Sequence, residues 1–115
     1  MKELTVKFYL ADSAYITALR LVAGAVCSAH DIDVDTLEDF KVCVTESAII
    51  LKDCGFESVT VTFADADGIC CTIEGDGGEP HEGGNEFSVA LISALVENCE
   101  IRQRNGIVER VTLKL

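Results

Sequence analysis

Six cysteines (Cys27, Cys43, Cys54, Cys70, Cys71 and Cys99) and two histidines (His30 and His81) are the side chains of this 115-residue sequence best suited to holding a metal or pairing as disulfides. Their spacing fits neither use. No Cys-x-x-Cys occurs, Cys70 and Cys71 are adjacent and would project to opposite faces of a strand, and two isolated histidines are too few for the usual zinc sets. Six free thiols and no metal are expected, as suits a reducing compartment. Asp65-x-Asp67-Gly68 resembles the start of a calcium loop, but the following residues read as a strand and no terminal bidentate glutamate follows, so a turn is expected. Neither histidine has nearby partners that nominate a triad, and both are expected to be solvated. Arg102, Arg104 and Arg110 form a small basic cluster, expected at a solvated sheet edge. The remaining polar groups of interest are carboxylates. Glu46 stands in the apolar run Glu38–Ile50, and Glu74 and Asp76 alternate with glycines in Ile73-Glu74-Gly75-Asp76-Gly77-Gly78.

The elements that must carry these groups follow from periodicity. Leu4–Leu10 alternates as a strand. Asp12 or Ser13 caps a helix to about Ala29, with Ile16, Leu19, Val22 and Val26 on its buried stripe. Asp35 or Thr36 opens a second helix through Leu37, Phe40, Val44, Ala48 and Leu51, stopped by Gly55. Val42, Ile49 and Ile50 make that helix apolar on more than one face, so it must be sandwiched. Glu57–Phe63 and Ile69–Ile73 read as the arms of a hairpin. Glu74–Gly84 reads as the one loop, and Asn85 caps a helix over Glu86–Glu97 carrying Phe87, Leu91 and Leu95. Cys99–Arg104 and Ile107–Leu115 form a last hairpin through Asn105-Gly106. The predicted fold class is therefore α/β (α+β): a two-layer sandwich with a mixed, mostly antiparallel sheet and three helices on one face.

Composition narrows the function classes. Hydrophobic residues make up 49% and charged residues 25%, with one proline, which is the balance of a single globular domain over residues 1–115. The formal net charge of −11 repels polyphosphates and acidic lipid, so neither nucleic acid nor membrane is an expected partner, and a protein with a basic patch is. No signal peptide or transmembrane stretch is read, and a cytoplasmic location is expected.

The segment Glu38-Asp39-Phe40-Lys41-Val42-Cys43-Val44-Thr45-Glu46-Ser47-Ala48-Ile49-Ile50 resembles the second helix of the anti-sigma-factor serine kinases, in the histidine-kinase-like (GHKL, Bergerat-fold) ATPase superfamily. The order of elements, Ala18-Leu19-Arg20-Leu21, and the ending Leu91–Cys99 followed by Val111-Thr112-Leu113 extend the resemblance over Leu4–Leu115. It implies a Bergerat-type fold with a shortened lid, and Glu46 in the place of the catalytic base. The same family holds Mg²⁺ with an asparagine one turn on, where this chain has Ile50, a side chain with no lone pair. The family's adenine motif, Asp-x-Gly-x-Gly, aligns with Gly75 at the aspartate and Gly77 at a glycine, leaving Glu74 or Asp76 as adenine-binding candidates only after a register shift. Its phosphate-binding Gly-x-Gly aligns with Glu86 and Ser88, where a carboxylate takes up the helix dipole a phosphate would use.

The resemblance thus implies a degenerate, non-catalytic regulatory domain of a bacterial switch, acting by protein–protein contact with a sigma factor, an antagonist or a homologous kinase. Neither cofactor nor metal is expected in that case, and a homodimer is open. The alternative is a serine protein kinase and anti-sigma factor binding ATP with Mg²⁺ through atypical motifs, with Glu46 as base and Glu74, Asp76 and Gly77 at the nucleotide.

Overall fold

The computed structural model describes residues 3–65 and 67–115; Met1, Lys2 and Ala66 of the expected turn lie outside the described residues. In chain order the elements are β1 (Glu3–Tyr9), α1 (Ser13–Ser28), α2 (Val34–Asp53), β2 (Ser58–Asp65), β3 (Ile69–Asp76), α3 (Glu86–Leu95), β4 (Asn98–Arg104) and β5 (Ile107–Lys114). The strands form one sheet in the order β1-β2-β3-β5-β4, and every pairing is antiparallel, the limiting case of the mostly antiparallel sheet expected. With the three helices it makes a two-layer α/β sandwich. The core lies between the layers, where Val59, Val61, Phe63, Cys71, Ile73, Val111 and Leu113 meet Leu19, Phe40, Val44, Ala48, Ile50 and Leu51, all fully buried. The alternate residues face away from the helices. There Thr5, Thr62, Thr72 and Thr112 line up in register across four strands, with Thr5 and Thr62 hydroxyls 3.2 Å apart.

Local chemistry sets the ends of the helices. The Asp12 carboxylate accepts from the Ala14 amide at 2.9 Å and starts α1. Helix α2 starts earlier than expected because Asp33, and not Asp35 or Thr36, is its cap: one carboxylate oxygen accepts from the Thr36 amide and the other from the Thr36 hydroxyl, each at 2.9 Å. These two bonds hold the Asp33 carboxyl below the usual carboxylate range. As anticipated, α2 is buried round much of its circumference, flanked by α1 and α3 and seated on the central strands. Ser47, buried within it, is satisfied by donating to the Cys43 carbonyl at 2.7 Å.

Three other expectations are corrected. On α1 the fully buried stripe is Leu19, Ala23, Val26 and Cys27, with Ile16 and Val22 only half-buried. The strand β3 does not end at Ile73: Glu74, Gly75 and Asp76 pair with Thr60, Val59 and Ser58, so the glycine-rich run begins as sheet and becomes loop only at Gly77. Helix α3 ends at Leu95, and its buried residue is Ile92, one position from the predicted Leu91; Phe87 is 79% exposed. Ser88 and Ile92 lie toward α2, while Phe87 is exposed and Leu91 half-buried.

Candidate functional site

Glu46 lies half-buried on α2 and its carboxylate accepts a hydrogen bond from the Ser88 hydroxyl of α3 at 2.9 Å. The acid is thus tied to the residue that aligns with the second phosphate-binding glycine of the resembled family. One turn further on, Ile50 is fully buried in the core. Removing either half of the interhelical bond should cost about 1 kcal/mol, and the double variant Glu46→Ala/Ser88→Ala should cost less than the two single changes summed. Denaturant unfolding of the three variants measures this coupling.

Glu74, Asp76 and Gly77 are placed elsewhere. In the β2–β3 register Glu74 and Asp76 fall in line with Thr60 and Ser58 on the sheet face away from the helices. Glu74 pairs with Arg110 at 3.8 Å, and Asp76 accepts from the Thr60 hydroxyl at 3.3 Å. Glu46 sits in the helix layer on the other side. The fold therefore does not bring Glu46 together with Glu74 and Asp76, because alternate residues of a strand point to opposite faces. Gly77 takes up a left-handed turn, φ 65°, with the Glu57 carboxylate 2.8 Å from where a Cβ would stand.

Gly75 is the inward-facing residue of this run, and its bare face is already in use. A Cβ there would meet three ring carbons of Phe56 at 2.5–2.7 Å. Phe56 gave no signal in the sequence, since it follows the helix-stopping Gly55 and fits neither strand nor helix periodicity. The loop beyond β3 folds back on the end of α2. The Glu79 amide donates to the Gly55 carbonyl at 3.2 Å and the His81 amide to the Cys54 carbonyl at 2.7 Å. The His81 ring lies over Gly55 and its Nδ1 is 2.9 Å from the Glu82 carbonyl. Asn85 precedes α3, but its side chain does not cap the helix; it turns inward and donates to Cys54 Sγ at 3.4 Å. Glu86 occupies the first turn of α3.

These residues do not fit a Mg-nucleotide. Position 50 offers no oxygen to the metal, Gly75 offers no acceptor where the resembled family has its adenine-binding aspartate and lies against Phe56, and Glu86 stands as an acid at the helix end. Two clefts border the region, one of about 250 Å³ lined by Phe56, Glu74, Gly75, Arg102, Glu109 and Arg110, the other of about 220 Å³ at Glu82, Asn85, Glu86 and Val108. Both are smaller than the roughly 300–1,000 Å³ typical of small-molecule sites. A larger one of about 500 Å³ lies along the end of β4, lined by Glu97, Asn98, Cys99, Glu100, Thr112 and Lys114, with none of the expected site residues.

The remaining candidates resolve separately. Among the described residues no three His, Cys, Asp or Glu side chains converge as metal ligands, and all six cysteines are free thiols. Burial pushes Cys27 up to about 11 and Cys43 to about 12, and raises Cys71 as well, so these thiols are unreactive at neutral pH. Thiol-reactive labelling of the native protein should therefore modify the half-buried Cys70 and Cys99 first, and the other four only after unfolding. A native disulfide found by mass spectrometry would contradict this.

His30 is not the free, solvated group expected. Its Nδ1 lies 3.0 Å from the Val26 carbonyl and its Nε2 lies 3.2 Å from an Asp65 carboxylate oxygen, joining the end of α1 to the β2–β3 hairpin. Both ring nitrogens face acceptors, so only the imidazolium satisfies both. The Val26 carbonyl, then the Asp65 carboxylate, raise its pKa. With the folded value above the unfolded one of about 6.5, the stabilisation is complete below about pH 6.5 and is lost as pH rises through the folded value. Replacing His30 with Gln should accordingly destabilise the protein more at about pH 5.5 than at about pH 8.5. Equal losses at both would refute the assignment.

No protein-family model matches the chain and no curated protein matches it, so the likeness to the anti-sigma-factor kinases rests on the residue patterns given above.

Proposed function

We propose that this domain is a regulator that acts by protein–protein contact and does not turn over nucleotide, as a degenerate relative of the anti-sigma-factor kinases. The observation that carries the reading is the placement of Ile50, fully buried in the core at the position where the resembled family holds its metal. The bond from Ser88 to Glu46 supports it further, since it ties up the acid that the alternative, an ATP-dependent serine kinase, would need free, and Gly75, in the place of the adenine-binding aspartate, has no acceptor to offer. A cytoplasmic setting accords with six unpaired thiols and with no helix among the described residues being long and apolar enough to cross a membrane.

The partner favoured by a formal charge of −11 is a protein with a basic face, such as a sigma factor, an antagonist or a homologous kinase. Partner capture should weaken as salt rises and the screening length falls below about 10 Å, and should be indifferent to Mg-ATP. Incubation with labelled ATP and the captured partner should transfer no phosphate. Transfer that Glu46→Ala abolishes would establish the kinase instead.

A further inference from the structure

We propose that the open edge of the sheet at β4 joins a second copy of this chain by antiparallel strand pairing, about a two-fold axis at Ile101. The inference is independent of the function proposed above. Strand β4 is bonded to β5 on one side only, so its other side presents unpaired backbone N–H and C=O groups. The irregularity in this hairpin falls on β5: Arg102 registers with Arg110 and Gln103 with Val108, leaving Glu109 as the extra residue. The edge strand itself runs unbroken over Asn98–Arg104.

The sequence of that edge is complementary to itself. A two-fold at Ile101 sets Glu100 of each copy opposite Arg102 of the other, and Asn98 opposite Arg104. Glu100 and Arg102 register with Thr112 and Arg110, so both stand on the sheet face away from the helices, where directly opposed side chains interact. Within one copy, among the described residues, neither Glu100 nor Arg102 has an ion-pair partner, whereas Arg104 is 3.6 Å from Glu109 and Arg110 is 3.8 Å from Glu74. Arg102 also faces Arg110 directly across the ladder, a like-charge pair that the second copy's Glu100 would offset. Charged residues on an edge ordinarily keep other strands away. Here the two signs are spaced two residues apart, so an antiparallel copy centred on Ile101 is a strand they accept.

Asn98–Lys114 holds four basic and two acidic residues, a net +2, which leaves −13 on the remainder of a chain whose total is −11, so the acidic excess of each copy lies away from the β4 joint. The other open edge, β1, carries one acid, Glu3, and one base, Lys7, four residues apart. Because the axis is perpendicular to the sheet, both helix layers stay on one side of a continuous sheet, and the half-buried Ile101 meets its own counterpart beneath them.

Light scattering or sedimentation equilibrium over a concentration series, at low salt, tests this. The wild type should reach twice its 12.4 kDa mass. Glu100→Arg and Arg102→Glu should each raise the dimer dissociation constant by about tenfold or more, since each replaces two attractions by two repulsions. The double variant Glu100→Arg/Arg102→Glu should recover the dimer, which also shows that both substitutions leave the fold intact. Lys7→Glu on β1 should leave it unchanged. A wild type that stays monomeric, a double variant that does not recover, or a dimer sensitive to Lys7→Glu and indifferent to Glu100→Arg would overturn the proposal.

Discussion

Ile50→Asn is expected to cost about 2.5–6 kcal/mol and to gain no affinity for nucleotide. Two physical effects add. Burial of an isoleucine side chain contributes about 1.5–3 kcal/mol, and an amide left without partners in the core costs about 1–3 kcal/mol more. Position 50 is fully buried in the hydrophobic core, where apolar neighbours offer the amide little to bond. Such a loss is a large part of the roughly 5–15 kcal/mol that holds a domain of this kind together. Urea unfolding gives the magnitude, and titration of the variant with Mg-ATP gives the second outcome. A variant as stable as the parent would mean that position 50 borders a solvated pocket, which is what a working metal site requires.

Gly78→Ala should cost about 2–4 kcal/mol, an effect out of proportion to a single methyl group on a surface loop. Gly78 has φ +70°, a conformation that costs an L side chain roughly 1–2 kcal/mol. A Cβ there would also lie 2.3 Å from the Gly55 carbonyl oxygen and 2.9 Å from the Glu57 amide nitrogen, both backbone atoms that no rotamer change can move aside. The loop would have to lift from the end of α2, breaking the Glu79–Gly55 and His81–Cys54 backbone bonds. Gly84→Ala is the control, because its nearest neighbour is the end of the flexible Glu86 side chain at 4.0 Å. Equal stabilities of the two variants would contradict the close seating of this loop.

The elements most legible in the sequence were those with strong periodicity. The apolar residues of α2 recur too often for one stripe, and the helix is indeed enclosed by α1, α3 and the sheet. Asn105-Gly106 read as a tight hairpin, and both residues have positive φ, 54° and 78°. What stayed hidden depended on contacts between distant residues. The glycines after Ile73 looked like the start of a loop, yet Gly75 continues β3 because Val59 and the ring of Phe56 lie against it, a packing that only the assembled hairpin creates. Phe87 and Leu91 had helical spacing, but so did Ser88 and Ile92, and the hydrogen bond from Ser88 to Glu46 marks which side faces α2. His30 read as isolated because its partner, Asp65, is 35 residues away. The carboxylates of the candidate site were visible as residue types. That Glu46 and the pair Glu74 and Asp76 stand on opposite sides of the sheet followed only from the register.

Thermal melting of the purified domain with and without millimolar Mg-ATP bears most directly on whether this is a nucleotide-independent regulator. Any ligand of the folded state raises the midpoint by mass action, by the equivalent of about 2.7 kcal/mol at a hundredfold excess over its dissociation constant. With Ile50 in the core, Phe56 on Gly75 and Glu46 bonded to Ser88, the two melting curves should coincide. An upward shift of several degrees that is specific to ATP with Mg²⁺ would contradict that reading and make the domain a nucleotide-binding protein.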